Sequence, residues 1–199
     1  MSLILSKDDI LFSQRFLKAS EFYTGKLDGL WGKKTDAAIE AFDAETAQIA
    51  KRYGTVDSRS EMQIATLQPR AQENARLFLK KLIESGFEVK IISGTRTYAE
   101  QEQLYRKGRF GTKGPKVTNA RGGRSNHNFG IAWDIAIFRN GKYLPDSPLY
   151  DEAGTVMVEG VEWGGNWKTF KDRPHYQLAT GLTITKVREL FEKGKPYWL

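Results

Sequence analysis

A histidine with a carboxylate seven positions after it, and a second histidine with a carboxylate three positions before it, are the residues of this chain that could hold a metal ion and work beside it. His127 lies in Ser125-Asn126-His127-Asn128-Phe129-Gly130-Ile131-Ala132-Trp133-Asp134, His175 closes Asp172-Arg173-Pro174-His175, and the chain has no third histidine. Two imidazoles and one carboxylate, from His127, His175 and Asp134, are the protein's share of an open catalytic zinc site with water in the fourth position. Asp172 is then left to move protons. A lone histidine is also commonly a hydrogen-bonded structural residue, and spacing alone leaves both explanations open. Asp134 interrupts the strongly apolar stretch Ile131–Phe138, and burying a lone carboxylate there costs several kcal/mol unless a cation or hydrogen bonds compensate.

Arg96, in Gly94-Thr95-Arg96-Thr97 at the end of an expected strand, is a further candidate. Its guanidinium stays charged and can grip a carboxylate or a developing oxyanion through two hydrogen bonds, although a surface ion pair would use it equally well. Glu159 and Glu162 are other acids close to the second histidine, and they read as solvated. Residues 1–60 hold 9 Lys/Arg and 9 Asp/Glu, so the formal charge of +7 belongs to the rest of the chain. It concentrates in a glycine-rich loop where Arg106, Lys107, Arg109, Lys113, Lys116, Arg121 and Arg124 occur with no acid among them. Such a loop is either solvated and flexible or meets an anionic polymer, a nucleic acid or a bacterial envelope being the two classes that fit. Aromatic residues on which single-stranded bases could stack are missing from it apart from Phe110, which argues against nucleic acid.

These groups must be positioned by a mixed set of elements. Asp8 or Asp9 can cap a helix through about Ala19, with Ile10, Gln14 and Leu17 on one face. Residues 22–32 alternate glycine with large apolar residues. Thr35 opens a second helix carrying Ala38, Ile39 and Phe42, extended through residues 43–53. Gly54–Ser60 reads as a polar linker. Beyond it, Pro69 to Glu84 predicts a helix burying Ala71, Ala75, Phe78, Leu79 and Leu82, stopped by Ser85-Gly86. Strand Phe87–Ser93, helix Tyr98–Lys107, strand Ile131–Phe138, a hairpin turn at Asn140-Gly141, strand His175–Leu178 and a helix over about Thr183–Glu192 follow. Pro174 keeps Arg173 extended and sets Asp172 at a fixed offset from His175.

A chain of 199 residues with 40% hydrophobic and 12% aromatic residues can build one large domain or a medium domain with a small companion. With no cysteine, disulfides and thiolate metal sites are excluded, and any ion must be held by nitrogen and oxygen. The apolar run at the N-terminus is broken by Lys7, Asp8 and Asp9, so no Sec-type leader is expected, and no apolar stretch approaches the roughly 20 residues that span a bilayer.

Gln14, Leu17, Tyr23-Thr24-Gly25-Lys26-Leu27-Asp28-Gly29-Leu30-Trp31-Gly32 and Lys34–Phe42 resemble the widespread helical peptidoglycan-binding domain. Its core would be Leu17, Leu27, Trp31, Ile39 and Phe42, with Gly25, Gly29 and Gly32 free to take positive φ. A helical hairpin without ligand is the plainer alternative.

Over residues 61–199 the chain resembles the zinc peptidases of the D-alanyl-D-alanine carboxypeptidase and L-alanyl-D-glutamate endopeptidase group, which share a fold with the hedgehog signalling domain. Ser125, His127, Gly130, Ala132 and Asp134 match the group's Ser-x-His-x-x-Gly-x-Ala-x-Asp signature. The resemblance implies one zinc ion held by His127, Asp134 and His175, Asp172 as catalytic base, Arg96 as stabiliser of the polarised carbonyl, and Ser125 on the substrate side. It also implies an α+β fold: a small antiparallel sheet with flanking helices holding the zinc, preceded by a small all-α module. The expected division is a wall-binding domain at 1–53, a linker at 54–60 and the peptidase domain at 61–199.

Within the group, the Asp-x-Pro-His form accompanies endopeptidases cutting L-Ala–D-Glu, and glutamate with tryptophan accompanies carboxypeptidases. The expectation is therefore a peptidoglycan endopeptidase of the phage-endolysin kind, acting as a monomer on bacterial peptidoglycan. It would be made in the cytoplasm and reach the wall on release, with neither nucleic acid nor stable membrane insertion. D-Ala-D-Ala carboxypeptidase is the alternative activity, and a wall-binding adaptor with a vestigial zinc site the alternative without one.

Overall fold

The computed structural model describes residues 5–198, so Met1–Ile4, part of the segment read for a leader, and Leu199 lie outside the described residues. Two compact units form, and they do not follow chain order. One comprises Met1–Glu45, Arg96–Phe129 and Gly181–Leu199; the other comprises Thr46–Thr95 and Gly130–Thr180.

The first unit contains α1 (Lys7–Ala19), the opening turns of α2 (Lys33–Tyr53), α5 (Tyr98–Arg106), a 3-10 turn at Asn126–Phe129 and α7 (Ile184–Glu192). The cap of α1 is Ser6 rather than either aspartate. Its hydroxyl accepts from the Asp9 backbone, and the Asp9 carboxylate accepts from the Ser6 backbone, so two orphan donors are satisfied at once. Thr97 and Glu100 repeat the arrangement at α5. Phe191 of α7 gathers the aromatic residues: its ring centroid lies 5.4 Å from Phe12 of α1 and 5.2 Å from Phe129. The Tyr197 hydroxyl donates to the Phe129 carbonyl.

The loop between α1 and α2 is organised by a polar side chain. Gln14 is buried; its amide nitrogen donates to Asp28 Oδ1 and the Leu30 carbonyl, both at 2.9 Å, and its oxygen accepts from the backbone of Asp28 at 3.1 Å and Gly29 at 2.9 Å. Of the three glycines expected at positive φ only Gly29 adopts it, at +68°. Leu17 and Phe42 are buried as expected, Leu27 and Ile39 are half-buried, and Trp31 is not in the core. Trp31 is 44% exposed and its indole N–H donates to Asp36 at 2.7 Å, a partner near the surface that satisfies the ring's one polar atom.

The second unit holds the sheet: β1 (Glu88–Ser93), β2 (Ala132–Arg139), β3 (Lys142–Tyr143), β4 (Val161–Trp163) and β5 (His175–Leu178), with the antiparallel order β1-β2-β5-β4 and β3 on β2. Asn140 and Gly141 both take positive φ, 52° and 73°, as a two-residue hairpin requires. Alternate residues face opposite sides of the sheet. Trp133, Ile135 and Tyr176 are fully buried on one side, where Phe78 of α4 (Pro69–Glu84) packs 4.2 Å from the Tyr176 ring and 6.2 Å from Trp133. Asp134, Ala132, His175, Gln177 and Glu162 fall on the other.

The stretch expected as a linker is structured in its second half. Asp57 caps α3 (Ser58–Ile64), and Ser60 accepts from the Ile91 backbone of β1 at 2.9 Å, because a serine hydroxyl can satisfy a buried N–H at the sheet edge. The buried Arg76 of α4 donates to Glu61 at 2.5 Å. α6 (Leu149–Ala153) completes this unit. Among the described residues no helix is long and apolar enough to cross a membrane.

Candidate metal centre

Strand register places two of the expected ligands face to face. β2 and β5 pair Trp133 with Tyr176 and Asp134 with His175, so the carboxylate and the imidazole project from directly opposite positions on one face. His175 Nδ1 lies 3.2 Å from Asp134 Oδ1, and His175 Nε2 lies 3.1 Å from Gln177 Oε1. The third ligand comes from the 3-10 turn, which Asn128 anchors. That buried side chain donates to the carbonyls of Arg96 at 2.9 Å and Thr97 at 3.2 Å, and accepts from Gly123 at 2.9 Å. The turn thereby holds His127 2% exposed, against 5% for His175.

His127, Asp134 and His175 each offer one ligand atom, and these atoms lie within 4.8 Å of one another. The donor set fits zinc on chemical grounds: borderline nitrogen and hard oxygen donors, no thiolate, and two buried imidazoles. Two ligands bound to one tetrahedral zinc at about 2.0–2.1 Å are separated by about 3.3 Å, close to the observed Nδ1 to Oδ1 distance. Without an ion, burial pushes the His175 imidazole toward the neutral form. The hydrogen bond and charge of Asp134, with Gln177 and the charge of Asp172, outweigh it and hold the group above the usual histidine range.

Asp172 sits in the turn before β5. Its backbone N–H donates to the Gly164 carbonyl at 3.1 Å, and its carbonyl accepts from His175 N–H at 3.2 Å. Gly164 is required by space: a Cβ there would lie 2.6 Å from the Asp172 carbonyl oxygen and 3.1 Å from His175 Cβ. Pro174 also contributes its carbonyl, which accepts from Ile135 of β2 at 3.0 Å and ties the turn to the sheet. The Trp167 ring lies 5.0 Å from that of His175.

Arg96 is joined to the histidine turn through its backbone, whose N–H donates to the His127 carbonyl at 3.0 Å; its guanidinium donates to Gln101 Oε1 at 3.3 Å. Gln101 is buried and itself donates to the Ala120 carbonyl at 2.9 Å. Ser125 begins the turn, its carbonyl accepting from Asn128 N–H at 2.9 Å. Asn128, Gln101, Gly164 and Gln177 are positioning residues that motif spacing does not single out. Gln101 stands among polar residues in Glu100-Gln101-Glu102-Gln103, and Asn128 follows Asn126 and His127, so only their burial in the structure marks them.

Residues 118–178 match a family model described as D-alanyl-D-alanine carboxypeptidase. Over 123 residues the chain is 36% identical to the peptidoglycan L-alanyl-D-glutamate endopeptidase CwlK of Bacillus subtilis, covering 56% of this chain and 73% of that protein. The chain belongs to the M15 peptidase family. Among solved structures, the M15 chain is similar to the L-Ala D-Glu endopeptidase ChiX of Serratia marcescens, with 27% identity, a TM-score of 0.50, and coverage of 63% of this chain and 90% of that one. As an M15 metallopeptidase, it carries Asp134 and His175 on one face of the sheet, with Phe78 of α4 packed against the other.

Proposed function

We propose that the chain is a zinc-dependent endopeptidase that cuts the L-Ala–D-Glu bond of peptidoglycan stem peptides. One observation carries the reading: a His, Asp, His cluster that could hold a metal ion, in a chain 36% identical to an L-alanyl-D-glutamate endopeptidase. Zinc held by His127, Asp134 and His175 supplies Lewis-acid polarisation of the scissile carbonyl and a water of lowered pKa. The chain's own residues do the rest. Asp172, anchored at both backbone ends beside His175, takes the proton of the attacking water and returns it to the leaving amine nitrogen. Arg96 aims its guanidinium at the developing oxyanion, steadied by Gln101. Ser125 borders the substrate.

Residues 1–53 serve as the wall-binding module, where the partly exposed Trp31 beside the exposed Leu30 offers an apolar surface to glycan or peptide. Such a pairing of wall binding with bond cleavage suits an endolysin that is made in the cytoplasm and acts as a monomer once released to the wall. D-Ala-D-Ala carboxypeptidase is the second reading, favoured by the description of the matching family model.

Digestion of purified muropeptides with the zinc-loaded chain, followed by mass spectrometry of the new termini, tests the proposal. A new amino terminus on D-Glu is expected. Release of D-alanine alone would replace the endopeptidase with the carboxypeptidase, and absence of any product would leave a wall-binding adaptor.

A further inference from the structure

Gln177 and Glu162 make a chain of hydrogen bonds that ends on a metal-ligating histidine. The Gln177 amide nitrogen donates to Glu162 Oε2 at 2.9 Å, and its amide oxygen faces His175 Nε2 at 3.1 Å. The three residues stand on one face of the sheet: Gln177 follows His175 by two positions in β5, and β4 pairs Glu162 directly with Gln177. On the other flank Gln177 pairs with Ala132 of β2, whose methyl leaves room for the longer side chain to lie along the sheet.

The direction of these bonds follows from what each group can do. A carboxylate only accepts, so the atom that Gln177 turns to Glu162 is its NH2 group. Its oxygen therefore faces His175, and an amide oxygen also only accepts. Nε2 of His175 must then carry the hydrogen, which leaves the lone pair on Nδ1, the nitrogen already turned to Asp134.

We infer that Glu162 and Gln177 form a positioning relay that fixes the tautomer and ring orientation of His175 and so presents Nδ1 to the metal. It rests on the proposed function only in needing a metal at this cluster. Glu162 sits at the exposed end, where its charge polarises the amide and strengthens the acceptor that the imidazole sees. The relay touches no substrate.

The test measures zinc affinity of the full chain by competition with a chromophoric chelator, without substrate. Gln177→Ala is expected to weaken zinc by about 10–100-fold. Gln177→Glu, which sets two carboxylates against each other, should weaken it comparably. The exchange Glu162→Gln with Gln177→Glu keeps an acceptor on His175 and a donor between the pair, and should restore affinity to within about threefold of the parent. With only two histidines in the chain, nitrogen-15 NMR of the zinc-loaded protein assigns the tautomer directly, with hydrogen on Nε2 of His175 expected.

Unchanged zinc affinity in Gln177→Ala, an exchange no better than Gln177→Glu, or hydrogen on Nδ1 would each overturn the relay. A merely structural role would lower the metal-free melting point of Gln177→Ala and would not be rescued by the exchange. If Gln177→Ala does not fold, the exchange pair and the tautomer carry the test. Because substrate is absent throughout, failure of the relay leaves bond specificity untouched, while an intact relay without muropeptide cleavage would refute the proposed activity alone.

Discussion

Replacing Gly164 by alanine adds one methyl group where the structure has no space for it. The new Cβ would meet the Asp172 carbonyl oxygen at 2.6 Å, whereas ordinary contact begins at 3.4 Å. The obstacle is backbone, which cannot swing aside like a side-chain tip, so the 172–175 turn must retreat by about 0.8 Å in a close-packed setting. The same carbonyl accepts from His175 N–H, and the retreat therefore carries the ligand with it. Metal sites hold their distances to about 0.2 Å, and a misplacement of about 1 Å costs about 100-fold in turnover. Gly164→Ala should accordingly lose about 50–100-fold in kcat on purified muropeptides and about tenfold or more in zinc affinity. Overpacking of about 1–3 kcal/mol should lower the melting temperature by several degrees. Gly32→Ala is the control, because nothing lies within 4 Å of its Cβ position and its φ is not positive. Turnover of Gly164→Ala within about threefold of the parent, at an unchanged melting temperature, would refute the steric reasoning.

Asp172→Ala should lower turnover by at least about 100-fold while zinc stays bound, and His127→Ala should lose both, as chelator competition and muropeptide hydrolysis measured together would show. The metal-free chain should become less stable as pH rises. The folded value of His175 is raised, so its pairing with Asp134 stabilises fully below the unfolded imidazole value of about 6.5 and is lost on passing the folded one. Zinc must displace that proton, so its affinity should instead climb by up to about tenfold per pH unit over the same window. Thermal scans from about pH 5 to 8 with and without zinc compare the two trends, and Asp134→Asn should flatten the metal-free one. Phe78→Ala, which empties the space under Tyr176 and Trp133, should cost about 3–5 kcal/mol in denaturant unfolding; a loss below about 1 kcal/mol would mean that α4 does not seal the sheet.

Helix α4 was readable residue by residue, because Pro69 at its start, the spacing of Ala71, Ala75, Phe78, Leu79 and Leu82, and Ser85-Gly86 at its end all point to the same boundaries. The ligand cluster was legible through the signature residues Ser125, His127, Gly130, Ala132 and Asp134 that carry the family resemblance; the cost of a lone acid in an apolar strand only favoured it. What spacing does not reveal is register. That Asp134 faces His175, and that Gln177 lies between Ala132 and Glu162, are properties of pairings between β2, β5 and β4. Glu162 looked solvated because its exposure is real and its partner lies 15 residues away. The resemblance to the helical peptidoglycan-binding domain puts Trp31 in the core, yet Asp36 satisfies its N–H at the surface while Gln14, a polar residue, occupies the interior. Compact units made of non-consecutive segments also escape a search for linkers, since Phe12 meets Phe191 across nearly the whole chain.

Opposed placement of Asp134 and His175 has a mechanical meaning in a chain without cysteine. An ion gripping both closes a loop of 41 residues, a constraint on the unfolded chain worth about 4 kcal/mol by the loop-entropy measure used for disulfides. The protein would thus own one removable staple, inserted when zinc is plentiful and withdrawn when it is scarce, so that starvation for the ion would expose an idle enzyme to proteolysis.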